Sequence, residues 1–325
     1  MPDSNNTTMT LSSDPAPRSL TWVITGTSSG FGYRLALIAL SRGDNVIATA
    51  RSLVKLQKLV DEVSRDVDHS KKERLRTFRF DLSDPEEVVR KMVKEAHEVW
   101  GRIDVLVNNA GTLSLSNVSG VEVWRTGWAW RGMLEESGIS ALQSLIDTNV
   151  IGTAKITYAV LPYMRARRSG TIVTIGSRSA WRAELPSIGS YAMVKAALRA
   201  FTENLSAELA PFNIRTLIVE PGAFRTEGIY SPGWCENHLS PDYDTIRESA
   251  RKSFESIPGN EPGDAFKAMT AIVDIVRGEG PARGRAWPNY LILGEDGEDA
   301  VRNKCALVLG ILDEWKDVTR GTGFD

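Results

Sequence analysis

From about residue 20 onward, short runs rich in β-branched and aromatic residues take turns with longer amphipathic segments, and that alternation constrains the chain more than any other feature. "LTWVIT" precedes an amphipathic 30–42, "NVIATA" precedes 53–64, "RTFRFD" precedes 85–100, and "IDVLVN" closes the first half. The rhythm resumes with a helical pattern over 141–165, the strand "TIVTIG", a helical pattern over 191–209, the strand "IRTLIVE" and a late strand near "NYLIL". A strand whose chain returns through a helix pairs in parallel with its neighbour, and a parallel sheet needs helices on both faces. The expected fold is therefore α/β: one Rossmann-type, doubly wound domain over 20–325, with a mostly parallel sheet covered on both sides. Residues 1–19, rich in Ser, Thr, Asn, Asp and Pro, carry too little apolar surface to offset the entropy of ordering, so a flexible tail is expected. Two stretches break the rhythm, 112–140 and about 228–262. Loops of that length in an α/β domain usually serve function, and they are read as an insertion and a substrate lid.

Composition narrows the function. Apolar residues make up 42% of the chain and charged residues 25%, as in a globular core, and 39 Lys and Arg nearly balance 41 Asp and Glu. That balance lacks the excess charge of a nucleic-acid or anionic-membrane binder and points to a small-molecule partner. Cys235 and Cys305, with His69, His97 and His238, do not make a disulfide framework or a four-ligand zinc site, and no metal is expected. There is neither an apolar run of the roughly 20 residues that span a bilayer nor a basic-then-apolar leader, which makes a cytoplasmic location the expectation.

"TGTSSGFG" sits between the first strand and the first helix, with Gly26, Gly30 and Gly32 in G-x-x-x-G-x-G spacing. Glycines there permit a tight turn and close backbone approach, while a helix N-terminus offers free N–H groups and a positive dipole end to a pyrophosphate. Gly26, Ser28, Ser29, Gly30, Phe31 and Gly32 are the expected contacts to a dinucleotide. An acidic residue at the end of the second strand would accept from a ribose 2′-hydroxyl and repel a 2′-phosphate. Here "IATARS" places Arg51 instead, whose planar fork suits phosphate, so NADP(H) is favoured over NAD(H) unless Arg51 is only a solvated surface charge.

Tyr191 and Lys195, four apart at the start of a predicted helix, project from one face. A free phenol titrates near about 10, and an adjacent ammonium favours the phenolate and lowers that value. Such a Tyr serves as general acid or base at a carbonyl or an alcohol.

The surrounding phrases carry a resemblance. "TGTSSGFG", "DLSD" (81–84), "NNAG" (108–111), "TNVIG" (148–152), "YAMVK" (191–195) and "PGAFRT" (221–226) occur in an order and at intervals similar to those of the short-chain dehydrogenases/reductases, over about 19–226. The C-terminal tail also looks like that of longer fungal members. The resemblance implies that Tyr191 is the proton donor to the substrate oxygen and that Lys195 holds the nicotinamide ribose and depresses the phenol's pKa. It implies that Asn149 anchors a water in the proton relay, that Asp81 contacts the adenine and Asn108 the adenosine side, and that Phe224 and Thr226 border the nicotinamide carboxamide. The activity so implied is NADP(H)-dependent interconversion of a ketone and a secondary alcohol. Oligomers built on the long helices are common among such relatives. A non-redox isomerase or cyclase on the same fold, or an NADPH-sensing binding protein, would not need the set Tyr191, Lys195 and Asn149.

Two features depart from the family pattern. The family serine usually lies thirteen residues before the tyrosine; here Ser177 is fourteen before it and Ser179 twelve. A strand end is rigid and a loop absorbs insertions, which favours Ser177 as the catalytic serine and leaves Ser179 to reach the substrate. The segment "SGVEVWRTGWAWRGMLEESGIS" is longer than usual, and its Trp124, Trp128 and Trp130 either wall a pocket for a bulky, aromatic substrate or pack into a core of their own.

Overall fold

The computed structural model describes residues 19–111, 132–227, 234 and 238–324. The expected tail, apart from its last residue, lies outside them, as do Trp124, Trp128, Trp130 and Cys235. The first half comprises β1 (Thr21–Ile24), α1 (Gly30–Ser41), β2 (Asn45–Ala50), α2 (Gln57–Arg65), α3 (Ser70–Glu73), β3 (Leu75–Arg79), α4 (Glu86–Trp100) and β4 (Val105–Asn108). Then come α5 (Leu134–Leu145), α6 (Gly152–Arg167), β5 (Gly170–Ile175), α7 (Gly189–Leu209), β6 (Ile214–Pro221), α8 (Asp244–Glu255), α9 (Ala265–Arg277), β7 (Tyr290–Leu293), α10 (Glu295–Glu314) and α11 (Lys316–Thr319).

The strands form one sheet in the order β3-β2-β1-β4-β5-β6-β7, with every neighbouring pair parallel. Successive strand residues point to opposite faces, and the two cores sort accordingly. Trp22, Ile24, Val46, Ala48, Val105, Val107 and Val173 face α1, α2 and α9. Val23, Ile47, Leu106 and Ile172 face α4, α6 and the end of α7. Burial on both faces is why these strands read as nearly continuous apolar runs in the sequence. The chain builds β1, β2 and β3 outward and then crosses back to start β4 beside β1, so the strand order reverses there. At such a reversal the loops diverge, leaving a crevice at the strands' carboxyl ends.

The helical pattern expected over 141–165 is not one helix. α5 begins at Leu134, inside the stretch read as an insertion loop, and a π turn over Ile146–Ile151 separates it from α6. The region read as a lid contains α8, tied to α5 by a buried ion pair: Arg247 bonds the carboxylate of Glu136, which also accepts from the Ser240 N–H at 2.9 Å. The neighbouring guanidinium holds the Glu136 carboxyl below the usual range. α10 and α11 lie beyond the last strand, outside the strand–helix alternation. No helix among the described residues is long and apolar enough to cross a membrane.

Candidate active site

One cavity of about 830 Å³ runs along the carboxyl edge of the sheet, bordered by the glycine turn, the ends of β2, β5 and β6, the starts of α7, and α8. At its base the turn after β1 is as tight as the glycine spacing requires. Gly26 has φ +72, and a Cβ there would lie 2.9 Å from Ala110 Cα. At Gly32 a Cβ would come within 2.4 Å of the Gly26 carbonyl. The second asparagine of "NNAG" locks this turn: Asn109 Nδ2 donates to the carbonyls of Thr25 (2.8 Å) and Gly26 (3.1 Å), and Thr25 Oγ1 accepts from the N–H groups of Asn109 and Ala110.

The N-terminus of α1 already holds an anion. The Gly30 N–H donates to Glu227 Oε2 at 3.1 Å, and Arg34, one turn on, grips the same carboxylate through both terminal nitrogens at 2.9 and 3.0 Å. Chiefly through the Arg34 bonds, the Glu227 carboxyl is held down to about 2. A carboxylate from the chain itself thus demonstrates that this helix end accepts negative charge.

Across the cavity, Tyr191 and Lys195 leave the first turns of α7 on one face. Lys195 Nζ lies 5.7 Å from the Tyr191 ring centroid and donates to the Ile175 carbonyl at 2.8 Å, which fixes the helix to the end of β5. Burial pushes the Lys195 ammonium down to about 8, opposed by the nearby Glu220 carboxylate. Glu220 itself has no exposed surface; its Oε2 accepts from Trp181 Nε1, and Arg199, stacked over that indole, lies 3.8 Å from Oε1. Burial raises the Glu220 carboxyl above its ordinary value. Asn149 sits in the π turn, where hydrogen bonds run five residues apart and bulges accompany functional sites. Its Nδ2 donates to the Leu145 carbonyl at 3.0 Å, and Gly111 leaves it room, since a Cβ there would lie 3.2 Å from its Oδ1.

β5 pairs in register with β4 as far as Thr174 and with β6 as far as Ile175, its last residue, so the segment carrying both serines begins after the strand. Ser177 opens a short 3₁₀ turn as its N-cap, with Oγ accepting from the Ser179 N–H at 3.1 Å. Both serines line the cavity.

Of the residues singled out in the sequence, Gly26, Ser28, Ser29, Gly30, Phe31, Arg51, Asn149, Ser177, Tyr191, Lys195 and Thr226 all border this cavity. Four do not. Gly32 packs against the Gly26 carbonyl. Asn108 is buried and donates to Thr157 Oγ1 at 3.0 Å. Asp81 turns its carboxylate to the N–H and hydroxyl of Ser83, leaving its neighbours Phe80 and Leu82 on the cavity wall. Phe224 points into the core, edge-on to Phe31 at 5.8 Å. Residues not expected from the sequence are Asn109, Lys55, Glu227, Arg34 and Glu220. Only Asn109 had a signal, the doublet in "NNAG"; the others depend on contacts between distant segments. Among the described residues, no group of three or more His, Cys, Asp or Glu side chains is placed to hold a metal ion.

Comparison with known proteins agrees with this architecture. The family model described as short chain dehydrogenase matches residues 21–230. Oxidoreductase BOA17 of Botryotinia fuckeliana is 30% identical over 302 residues, 92% of this chain and 97% of that protein. Oxidoreductase claN of Passalora fulva is 37% identical over 209 residues, 64% of this chain and 84% of that one. A crystal structure of a short-chain dehydrogenase from Streptomyces avermitilis is 32% identical, superposes with a TM-score of 0.76 and covers 95% of this chain and all 100% of its own. A structure of ElxO with NADP bound is 25% identical, with a TM-score of 0.63, over 86% of this chain and 98% of that one. The strand order, the glycine turn and these matches together make the chain a member of the short-chain dehydrogenase family of oxidoreductases.

Proposed function

We propose that the protein is an NADP(H)-dependent carbonyl reductase for a bulky small molecule, working through Tyr191 as general acid and base. The observation that carries this is the shared cavity: the anion-accepting end of α1 and the Tyr191/Lys195 pair open onto one space. The residues fit a dinucleotide phosphate. Gly26 and Gly32 remove the Cβ atoms that would crowd the turn, and the Gly30 N–H is aimed at an anion. Arg51 and Lys55 line the cavity wall past the end of β2 with no acidic residue of that wall beside them in sequence, an arrangement suited to a 2′-phosphate. The NADP in the ElxO structure supports the same choice.

When bound, the nicotinamide supplies the hydride; the rest belongs to the chain. Tyr191 Oη delivers a proton to the carbonyl oxygen as it gains charge, and the Lys195 ammonium beside the ring favours the resulting phenolate. Ser177, the serine favoured by the strand end, donates a hydrogen bond to the same oxygen. Asn149 holds a water through which the phenolate is reprotonated. NADPH favours reduction over oxidation of the alcohol. A cytoplasmic location and association of copies through the long helices complete the proposal.

The test is NADPH consumption with a panel of bulky ketones, wild type against Tyr191→Phe. Turnover is expected for wild type and a loss of about 10²-fold or more for the variant. Turnover unaffected by the substitution would overturn the mechanism.

A further inference from the structure

We propose that the substrate half of the cavity selects a bulky, largely apolar carbonyl compound that carries a carboxylate, and that Arg182 is the residue that receives the carboxylate. This rests on the carbonyl-reductase function proposed above and adds the substrate's charge to it. Besides the glycine turn, the cavity is bounded by α8 and by the segment between β5 and α7. α8 presents two parallel stripes to it. Thr245, Ser249 and Ser253 recur every four residues, and so do Ile246, Ala250 and Phe254, with Ile257 beyond the helix extending the apolar line. Residues four apart share a helix face, so this wall offers one row of hydroxyls beside one row of hydrocarbon. Leu185, Pro186 and Ile188 add apolar surface from the other segment.

Among the described residues of the segment between β5 and α7, two guanidiniums line the cavity, and they differ in one respect. Arg178 is neutralised by Asp296. Arg182 is half-buried on the cavity wall, and no hydrogen bond or ion pair engages its guanidinium among the described residues. The acidic residues of α8 do not compensate it: Asp244 pairs with Arg247, Glu248 pairs with Lys252, and neither lines the cavity. Glu227, the one acidic side chain on the described cavity wall, is held by Arg34 at the other end. A partly desolvated guanidinium without a counter-ion is a site for a planar anion that it can bond through two parallel N–H groups. A single positive charge matches a carboxylate; a dianionic phosphate would call on a second cation, and Arg178 is committed to Asp296. The apolar stripe then takes the hydrocarbon body, and the Thr245 and Ser249 hydroxyls take further oxygens of the ligand, while Ser253 Oγ donates to the Ser249 carbonyl at 3.0 Å.

The experiment uses the full chain saturated with NADPH, with 4-(2-naphthoyl)benzoate and its methyl ester as probes, following both turnover and calorimetric binding for wild type and Arg182→Met. Wild type is expected to favour the acid over the ester by tenfold or more in kcat/KM and in Kd. Arg182→Met should lower the acid's kcat/KM and raise its Kd at least tenfold more than the ester's, and Arg182→Lys should restore part of the difference. Equal handling of acid and ester by wild type, equal losses for both in the variant, or no binding of either would overturn the proposal. Preferential, Arg182-dependent binding of the acid without turnover would uphold it while overturning the reductase function.

Discussion

The indole N–H of Trp181, in the loop that carries both candidate serines, donates to Glu220, a carboxylate with no exposed surface near the end of β6. That bond joins the loop to β6, and the same carboxylate favours the charged form of Lys195. Lys195 is pushed down to about 8 by burial, so its ammonium is present below that pH and lost above it. If the ammonium supports Tyr191, kcat/KM for reduction bends downward above about pH 8. Glu220→Gln removes the charge that holds Lys195 up, and the bend should move to lower pH. A pH–rate profile of both proteins decides it; a purely structural Glu220 would lower the rate without moving the bend.

Stability carries the matching signature. Lys195 titrates lower in the folded chain than in the unfolded one, where a free Lys titrates near about 10.4. Between the two values the unfolded chain binds more protons, so this group makes the fold more stable as pH rises from about 8 towards 10. Urea unfolding at pH 7.5 and 9.5 should therefore show an alkaline gain for wild type that is smaller in Lys195→Met.

The two serines have different surroundings and should fail differently. Ser177 is buried, one residue after Gly176, whose N–H is bonded to the Val219 carbonyl at 2.7 Å; Ser179 sits within the turn that follows. Ser177→Ala should cost about 10²-fold or more in kcat, and Ser179→Ala should raise KM with kcat nearly unchanged. Steady-state kinetics that reverse this pattern would assign the catalytic hydroxyl to Ser179.

The carboxylate of Glu227 occupies the Gly30 N–H that the proposed dinucleotide would use, and one N–H cannot serve two anions fully. Glu227→Gln should tighten NADPH several-fold by fluorescence titration, because it removes a like charge and releases Arg34. Since the Glu227 carboxyl is held near about 2, the gain should be the same from pH 6 to 8. Weaker NADPH binding in the variant would instead make the Arg34–Glu227 pair a support for the cofactor site.

Gly32 has no room for a side chain, with the Gly26 carbonyl 2.4 Å from the position of a Cβ. Gly32→Ala should destabilise the chain by about 1–3 kcal/mol, as overpacking of a rigid site does, and should weaken NADPH binding together with it. Thermal unfolding and the same titration measure both effects.

Periodicity and local chemistry determined much of this protein before any contact was known. Strands buried on both faces must be apolar throughout, so "NVIATA" and "TIVTIG" announce a parallel sheet, and a turn without room for Cβ atoms must be written in glycine, as at Gly26 and Gly32. Tyr191 and Lys195 were legible together because their spacing is set within one helix. Tertiary structure decided whatever depends on segments far apart in the chain. Asp81 and Phe224 belong to recognisable phrases, yet their side chains are claimed by Ser83 and by the core. Glu227 meets Gly30 and Arg34, and Glu220 meets Trp181, across separations that no local spacing encodes. Orientation and counter-charge are properties of the packed molecule, which is why residues that share one cavity were legible in the sequence and the electrostatics around them were not.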